Sequence, residues 1–356
     1  MSKESIPFYC FTTAGLEEVT AGEVAQRLVG SRVEEARRGV VFFTYGENTE
    51  TLLELSTAED VFALIARGEV AEARQGLAQA EELVLQSSFI EGAVELYRRL
   101  KPKRVKRVTY RVVVQRRGGK HEYIRPVLGK RIGRALEERF PRWKRVEENG
   151  LVEIWVLQRG KELICGLRLS DRSMRHRTYK QANIEGSLRP IVARSMAILS
   201  EPEDDDVFLD PMCGAGTILI ERGEQGRYGQ LLGGDISEEA IAATRINVGP
   251  RYKPIEIRQW DATELPLPSG KVNRIVCNLP FGKKIGSPRD NRALYGPFLG
   301  ESVRVLRRGG VMVLLTSDRR LLMQALGGYP ELRIERIYPI FVLGQKAYIF
   351  KLRFSG

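Results

Sequence analysis

Apolar and polar positions change period several times along this chain, and the changes mark out its elements. In the C-terminal half, short apolar runs alternate with helical patterns. Val207-Phe208-Leu209 precedes Ile218-Leu219-Ile220-Glu221, and Leu231-Leu232-Gly233-Gly234-Asp235 precedes a stretch with Ile241, Thr244 and Val248 on one helical face. Ser237 stands where that helix begins, which predicts an N-cap. Two further strand-like runs follow, Ile255-Glu256-Ile257-Arg258-Gln259-Trp260 and Arg274-Ile275-Val276-Cys277. Strands alternating with helices predict βαβ units and a parallel, doubly wound α/β sheet. Residues 333–340 and 347–354, joined by Gly344-Gln345-Lys346, predict an antiparallel pair at the end of the chain.

The N-terminal half has a different rhythm. Pro7-Phe8-Tyr9-Cys10-Phe11-Thr12 and Val40-Val41-Phe42-Phe43 predict strands on either side of a helix near residues 16–29. Further on, Arg107-Val108-Thr109-Tyr110-Arg111-Val112-Val113-Val114 predicts a strand running into the turn Arg116-Arg117-Gly118-Gly119-Lys120-His121. A helix follows with Val127, Leu128, Ile132, Ala135 and Leu136 on its apolar side and Lys130, Arg131 and Arg134 elsewhere; two strands come after it, at residues 152–156 and 163–169. This half is therefore expected to be α+β. Residues 170–182, polar and basic with Arg172, Arg175, His176, Arg177 and Lys180, read as a linker. The next helix carries Pro190 early, where its missing N–H costs nothing.

Charge is distributed unevenly. The net charge is +12 over 356 residues, yet residues 1–97 hold 7 Lys/Arg against 17 Asp/Glu while residues 98–145 hold 19 against 3. A solvated helix face accounts for many charge runs. This block, however, covers predicted strands and turns as well as a helix, and so points to a polyanionic partner. Lys144 and Arg145 at its end, and Arg175 and Arg177 in the linker, extend the candidate surface.

Other classes are excluded. No apolar run is long enough to span a bilayer. Two histidines, His121 and His176, and no Cys-x-x-Cys pair leave no metal site and no histidine-based hydrolase triad to expect. No Walker-type phosphate loop is present. The four cysteines, 10, 165, 213 and 277, have no close spacing and no signal peptide precedes them, so they are expected to be reduced, space-filling residues of a cytoplasmic protein.

Two loops carry chemistry. Asp210-Pro211-Met212-Cys213-Gly214-Ala215-Gly216-Thr217 falls where a strand turns into a helix, and glycines there let a nucleotide-like cofactor approach bare backbone. Asp235 ends the next strand, where a carboxylate can accept ribose hydroxyl hydrogens, with Ile236 beside it. Asp261-Ala262 follows the third strand. Asn278-Leu279-Pro280-Phe281-Gly282 follows the fourth and brings together an amide, a main-chain carbonyl and an aromatic ring, groups suited to an exocyclic amine on a flat base. Each aspartate taken singly is equally at home capping a strand end. Four such ends in order along one sheet edge gather them in a single crevice.

The two loops together resemble the cofactor and catalytic loops of class I S-adenosylmethionine-dependent methyltransferases acting on amino groups, with Leu279 and Phe281-Gly282 most similar to the RNA guanine-N2 branch. That resemblance implies a Rossmann-fold methyltransferase domain at residues 183–356 whose sheet the final strand pair closes. It implies S-adenosylmethionine at Asp210, Met212, Cys213, Gly214, Ala215, Gly216, Thr217, Asp235, Ile236, Asp261, Ala262 and Asn278, with the adenine near Asp261. Asn278, Pro280 and Phe281 would be the catalytic residues. The basic block resembles a THUMP RNA-binding domain, expected at residues 61–169 after a small ferredoxin-like domain at residues 1–60. Its expected RNA contacts are Arg116, Arg117, Lys120, Lys130, Arg131, Arg134, Lys144, Arg145, Arg175 and Arg177. The layout implies a monomeric tRNA guanine-N2 methyltransferase acting at guanosine 6 of the acceptor stem and gripping the 3′ CCA end, without metal or membrane. A tRNA position 10 enzyme, a large-subunit ribosomal RNA guanine-N2 methylase, a DNA adenine-N6 enzyme and a non-catalytic RNA-binding protein are the alternatives.

Overall fold

A computed structural model describes residues 6–101, 108–281, 288–342 and 344–356. Arg107 and Gly282, both part of expected elements, lie outside the described residues. The chain forms two compact units, the first comprising residues 1–11, 21–36 and 40–174, the second residues 12–20, 37–39 and 175–356. The main division, between Met174 and Arg175, falls inside the stretch read as a linker.

The first unit contains β1 (Ile6–Phe11), α1 (Glu17–Arg27, its first residues assigned to the second unit), β2 (Arg32–Arg37), β3 (Val40–Tyr45), β4 (Asp60–Glu69), α2 (Gly76–Leu85), α3 (Ile90–Leu100), β5 (Thr109–Arg116), α4 (Arg125–Arg139), β6 (Lys144–Arg145), β7 (Val152–Arg159) and β8 (Glu162–Arg168). All eight strands join one sheet in the order β2-β3-β1-β4-β8-β7-β5-β6. The two domains expected at residues 1–60 and 61–169 thus share a continuous sheet, joined where β1 pairs antiparallel with β4. One face buries Leu77, Ala80, Ile90, Val94, Leu128 and Ile132 from α2, α3 and α4. The other carries an aromatic cluster in which Tyr9 stacks on Phe62 at 4.7 Å.

The second unit contains α5 (Pro190–Leu199), β9 (Val207–Asp210), α6 (Thr217–Gly223), β10 (Gln230–Asp235), α7 (Glu238–Val248), β11 (Ile255–Gln259), β12 (Val272–Asn278), α8 (Pro288–Val305), β13 (Leu306–Thr316), α9 (Arg319–Leu326), β14 (Leu332–Val342) and β15 (Gln345–Phe354). Its sheet runs β11-β10-β9-β12-β13-β15-β14. The first five are parallel and the last two close the sheet antiparallel, as the alternation and the terminal hairpin predict. Strands buried on both faces explain the uninterrupted apolar runs at residues 208–209, 275–277 and 311–315. Ser237 caps α7, accepting from the Ala240 amide at 3.3 Å, and Ile241, Thr244 and Val248 are buried together. Among the described residues no helix is long and apolar enough to cross a membrane.

Candidate active site

Parallel pairing of β11, β10, β9 and β12 sets their C-terminal ends along one edge, beside the point where the chain reverses its direction of travel across the sheet. β9 ends at Asp210, β10 at Asp235 and β12 at Asn278, while Asp261 follows the end of β11 by two residues. The loops are tied together. The Gly214 and Ser237 amides each donate to Asp235, to Oδ2 and Oδ1 at 3.0 Å, and the Cys213 amide donates to the Gly234 carbonyl at 2.8 Å. A carboxylate offers about four acceptor sites, so Asp235 keeps capacity for ligand hydroxyls.

Asp210 is the anomalous group. It is 1% exposed and neither carboxylate oxygen has a well-formed hydrogen bond. Burial pushes its carboxyl well above the usual carboxylate range; the Met212 amide opposes this only in part, and the negative Asp235 adds to it. An unpaired buried carboxylate is costly to the fold, and a ligand bearing a cationic amine would relieve it. Asp261 contrasts with it. It is exposed, and hydrogen bonds from the Thr263 hydroxyl and amide to Oδ1, at 2.7 and 2.8 Å, hold its pKa down.

The glycine loop is shaped for close approach. Gly216 has φ +76°, and a Cβ there would lie 2.9 Å from Thr244 Cγ2. Cys213, Ala215, Thr217 and Ala262 are buried and Met212 is half-buried, whereas Ile236 is 69% exposed beside Asp235. An exposed isoleucine at a strand end suits the face of a flat ring. Burial pushes up the Cys213 and Cys277 thiols, and both are free.

Sequence reasoning missed three residues that hold this loop. Thr244 Oγ1 donates to the Gly214 carbonyl at 2.7 Å. Asn247, 2% exposed, donates to the carbonyls of Ala215 and Ala182 at 2.9 Å and accepts from the amides of Gln181 and Ala182 at 2.9 and 2.8 Å, strapping residues 181–182 to the loop. Asn291, 3% exposed on α8, donates to the Pro280 carbonyl at 2.7 Å. No local motif announces such partners. The apolar spacing around Thr244 was the one usable signal.

At the expected catalytic loop, Asn278 is half-buried and its Oδ1 has no partner among the described residues. Pro280 O takes the Asn291 bond and a long one, 3.5 Å, from the Tyr295 hydroxyl, which also lies 2.9 Å from Thr316 Oγ1. That carbonyl therefore holds one short bond, from Asn291, and one long bond that a closer donor would displace. Phe281 is half-buried, its carbonyl 3.4 Å from the Ser317 hydroxyl that donates to it. Two acceptors and a ring thus sit within four residues, and among the described residues no donor bonds Asn278 Oδ1.

The basic block lies on the first unit. Arg117, Lys120, Lys130, Arg134, Lys144 and Arg145 are exposed, whereas Arg116, Arg131, Arg175 and Arg177 are half-buried. Arg116 lines an open hollow of about 630 Å³ with Gly118, Gly119, Ile124, Arg125 and Pro126. Its guanidinium donates to the Tyr123 carbonyl at 2.7 Å and to Gln158 at 3.2 Å, leaving Nη2 unpartnered, and burial lowers its pKa. Arg131 pairs with Glu81 at 3.0 Å, and Arg177, in the second unit, with buried Glu221 at 3.1 Å. Both of these are engaged within the fold.

Residues 177–342 match the family described as UPF0020, RMKL-like, methyltransferase domain. The sheet order and the strand-end loops of the second unit agree with a Rossmann-like methyltransferase domain. Over 343 residues the chain is 29% identical to a tRNA (guanine(6)-N2)-methyltransferase of Thermus thermophilus, covering 93% of this chain and 97% of that protein. It is 33% identical over 233 residues to the tRNA (guanine(6)-N(2))-methyltransferase THUMP3 of Bos taurus, covering 62% of this chain. The chain spans 46% of the length of that mammalian relative. The crystal structure of TrmN from Thermus thermophilus superposes with a TM-score of 0.81 at 25% identity, covering 98% of this chain and 99% of that one.

Proposed function

We propose that this enzyme transfers a methyl group from S-adenosylmethionine to the exocyclic N2 amine of guanosine 6 in the acceptor stem of tRNA. The observation that carries the proposal is the pairing of two acceptors, Asn278 Oδ1, without a partner among the described residues, and Pro280 O, whose second bond is long, beside the ring of Phe281. Similarity to a guanosine 6 methyltransferase along nearly its whole length supports the choice of substrate.

The residues present fit the cofactor. Asp210 offers two unsatisfied oxygens to its amine, Asp235 has acceptor capacity for its ribose, and Ile236 and Asp261 flank a place for its adenine. When bound, it supplies an electrophilic methyl on a sulfonium, a good leaving group. The work left to the protein is positioning. The target guanosine leaves its stack at a cost of roughly a few kcal/mol, which stacking on Phe281 offsets. Asn278 and Pro280 accept the two N2 hydrogens, directing the amine lone pair, otherwise delocalised into the ring, out of the base plane. Asn291 holds the Pro280 carbonyl in place while it does so.

In this reading residues 1–60 form a ferredoxin-like domain and residues 61–169 a THUMP domain that holds the 3′ CCA end, so that the target is chosen by its distance from that end. Arg117, Lys120, Lys130 and Arg134, all exposed, are the first candidates for phosphate contacts. Four free, buried cysteines suit a cytoplasmic setting. Transfer of labelled methyl from S-adenosylmethionine to bulk tRNA, followed by nucleoside mass analysis, tests the proposal: N2-methylguanosine is expected, and methylation of another nucleoside alone would refute it.

A further inference from the structure

We infer that the end of the terminal hairpin next to the catalytic loop is a second RNA-docking strip, holding the strand beside the target nucleotide. The inference rests on the proposed RNA methylation.

Strand register places the strip. Phe341 of β14 lies opposite Lys346 of β15, and Tyr348 of β15 lies opposite Thr316, the last residue of β13. Residues directly opposite share a face, so Phe341, Lys346 and Tyr348 line one side and lead to the end of β13. There Ser317 donates to the carbonyl of Phe281, which joins the strip to the catalytic loop.

Charge and exposure set this stretch apart. Arg319 and Lys346 both stand over the Tyr348 ring, at 5.9 and 5.6 Å from its centroid. Among the described residues neither of them, nor Arg320, pairs with a carboxylate, and the neighbouring Asp318 caps α9 instead, accepting from the Leu321 amide at 2.9 Å. On the opposite face of the same hairpin the cations are neutralised: Lys351 and Arg353 pair with Glu335 and Glu201. Phe341 is 59% exposed, although the surrounding sheet residues Ile340 and Val342 are buried. Unneutralised cations interleaved with an exposed aromatic ring match single-stranded nucleic acid, whose phosphates take the charge and whose bases take the ring. A flipped nucleotide needs the phosphates on either side of it held, and the strip adjoins the loop proposed to receive that nucleotide.

The test uses the full-length chain with Arg319, Arg320 and Lys346 all changed to Glu, and separately Phe341→Ala. For the triple variant, KM for tRNA is expected to rise by about tenfold or more, with a salt slope shallower by roughly 0.7 to 0.9 for each lost phosphate contact. The kcat at saturating tRNA, the calorimetric affinity for S-adenosylmethionine and the melting temperature are expected to stay near those of the wild type. Phe341→Ala is expected to weaken tRNA binding by roughly fivefold or more through lost stacking. An unchanged KM, or a raised KM with the wild-type salt slope, would overturn the inference. Filter binding separates it from the activity proposal: if the wild type binds tRNA without methylating it, the activity fails, and the strip stands or falls on whether the variants lose tRNA affinity.

Discussion

At the scale of the residue, two kinds of unsatisfied oxygen divide the labour. In the proposed reading Asn278 Oδ1 accepts from the target amine, so Asn278→Ala should lower kcat by about a hundredfold or more, as loss of a preorganised polar group does, and Phe281→Ala should do the same by removing the proposed stacking platform. S-adenosylmethionine affinity, measured by calorimetry, should change little in both. Asn291→Ala should lower kcat by roughly tenfold, because Pro280 O loses its anchor while the acceptor itself remains. Wild-type turnover in the Asn278 or Phe281 variant would remove the catalytic assignment.

Asp210 predicts a pH dependence. Its folded-state pKa lies well above the unfolded value, so between the two values the folded chain holds a proton that the unfolded chain has lost. The favourable contribution is complete below the unfolded pKa and is lost as pH rises through the folded pKa. Cofactor-free protein should therefore lose stability with rising pH, and Asp210→Asn should flatten that slope in denaturant titrations while weakening S-adenosylmethionine binding. Parallel stability profiles for the two proteins would show that the carboxyl is not perturbed. The glycine loop and strand-end acids were legible in the sequence because each lies within a few residues of its own strand. Thr244, Asn247 and Asn291 were not, since their partners lie between 11 and 66 residues away.

At the scale of the element, the periodicities placed α1, β3, β5, α4 and all of β9 to β12 within a few residues, and two kinds of element escaped. Strand β2, Arg-Val-Glu-Glu-Ala-Arg, is an edge strand without apolar alternation. Helix α3 did carry a signal, for Ile90, Ala93, Val94 and Tyr97 recur at helical spacing and are buried. The single N-terminal sheet could not be read because its β4–β8 pairing joins segments about a hundred residues apart. That pairing rests on charge: Arg168 pairs with Asp60 at 2.7 Å and with Glu153 at 3.0 Å, and Asp60 is fully buried. Asp60→Ala removes one of the guanidinium's two carboxylate partners and should destabilise the first unit by about 1 to 3 kcal/mol. Urea unfolding followed at Trp155 would measure this, and a loss under about 1 kcal/mol would mean that the pair is dispensable.

At the scale of the whole molecule, an acidic start, a strongly basic block and a nucleotide-type crevice support the proposed enzyme, one part gripping a polyanion and another doing chemistry. Reversing charge at Arg117, Lys120, Lys130 and Arg134 should weaken tRNA binding and flatten its salt dependence by roughly 0.7 to 0.9 per lost contact, leaving cofactor affinity intact. Removing the 3′ CCA should cut methylation sharply, whereas changing bases beside the target should matter less; full activity on a tRNA without that end would contradict selection by distance. The central claim, that the N2 amine of guanosine 6 is the methyl acceptor, is tested most directly by replacing that one nucleoside with inosine, which lacks only the amine. Methyl incorporation into the two otherwise identical tRNAs should be one group per guanosine 6 molecule and none per inosine 6 molecule, with equal binding of both. Equal incorporation into the two would contradict the account.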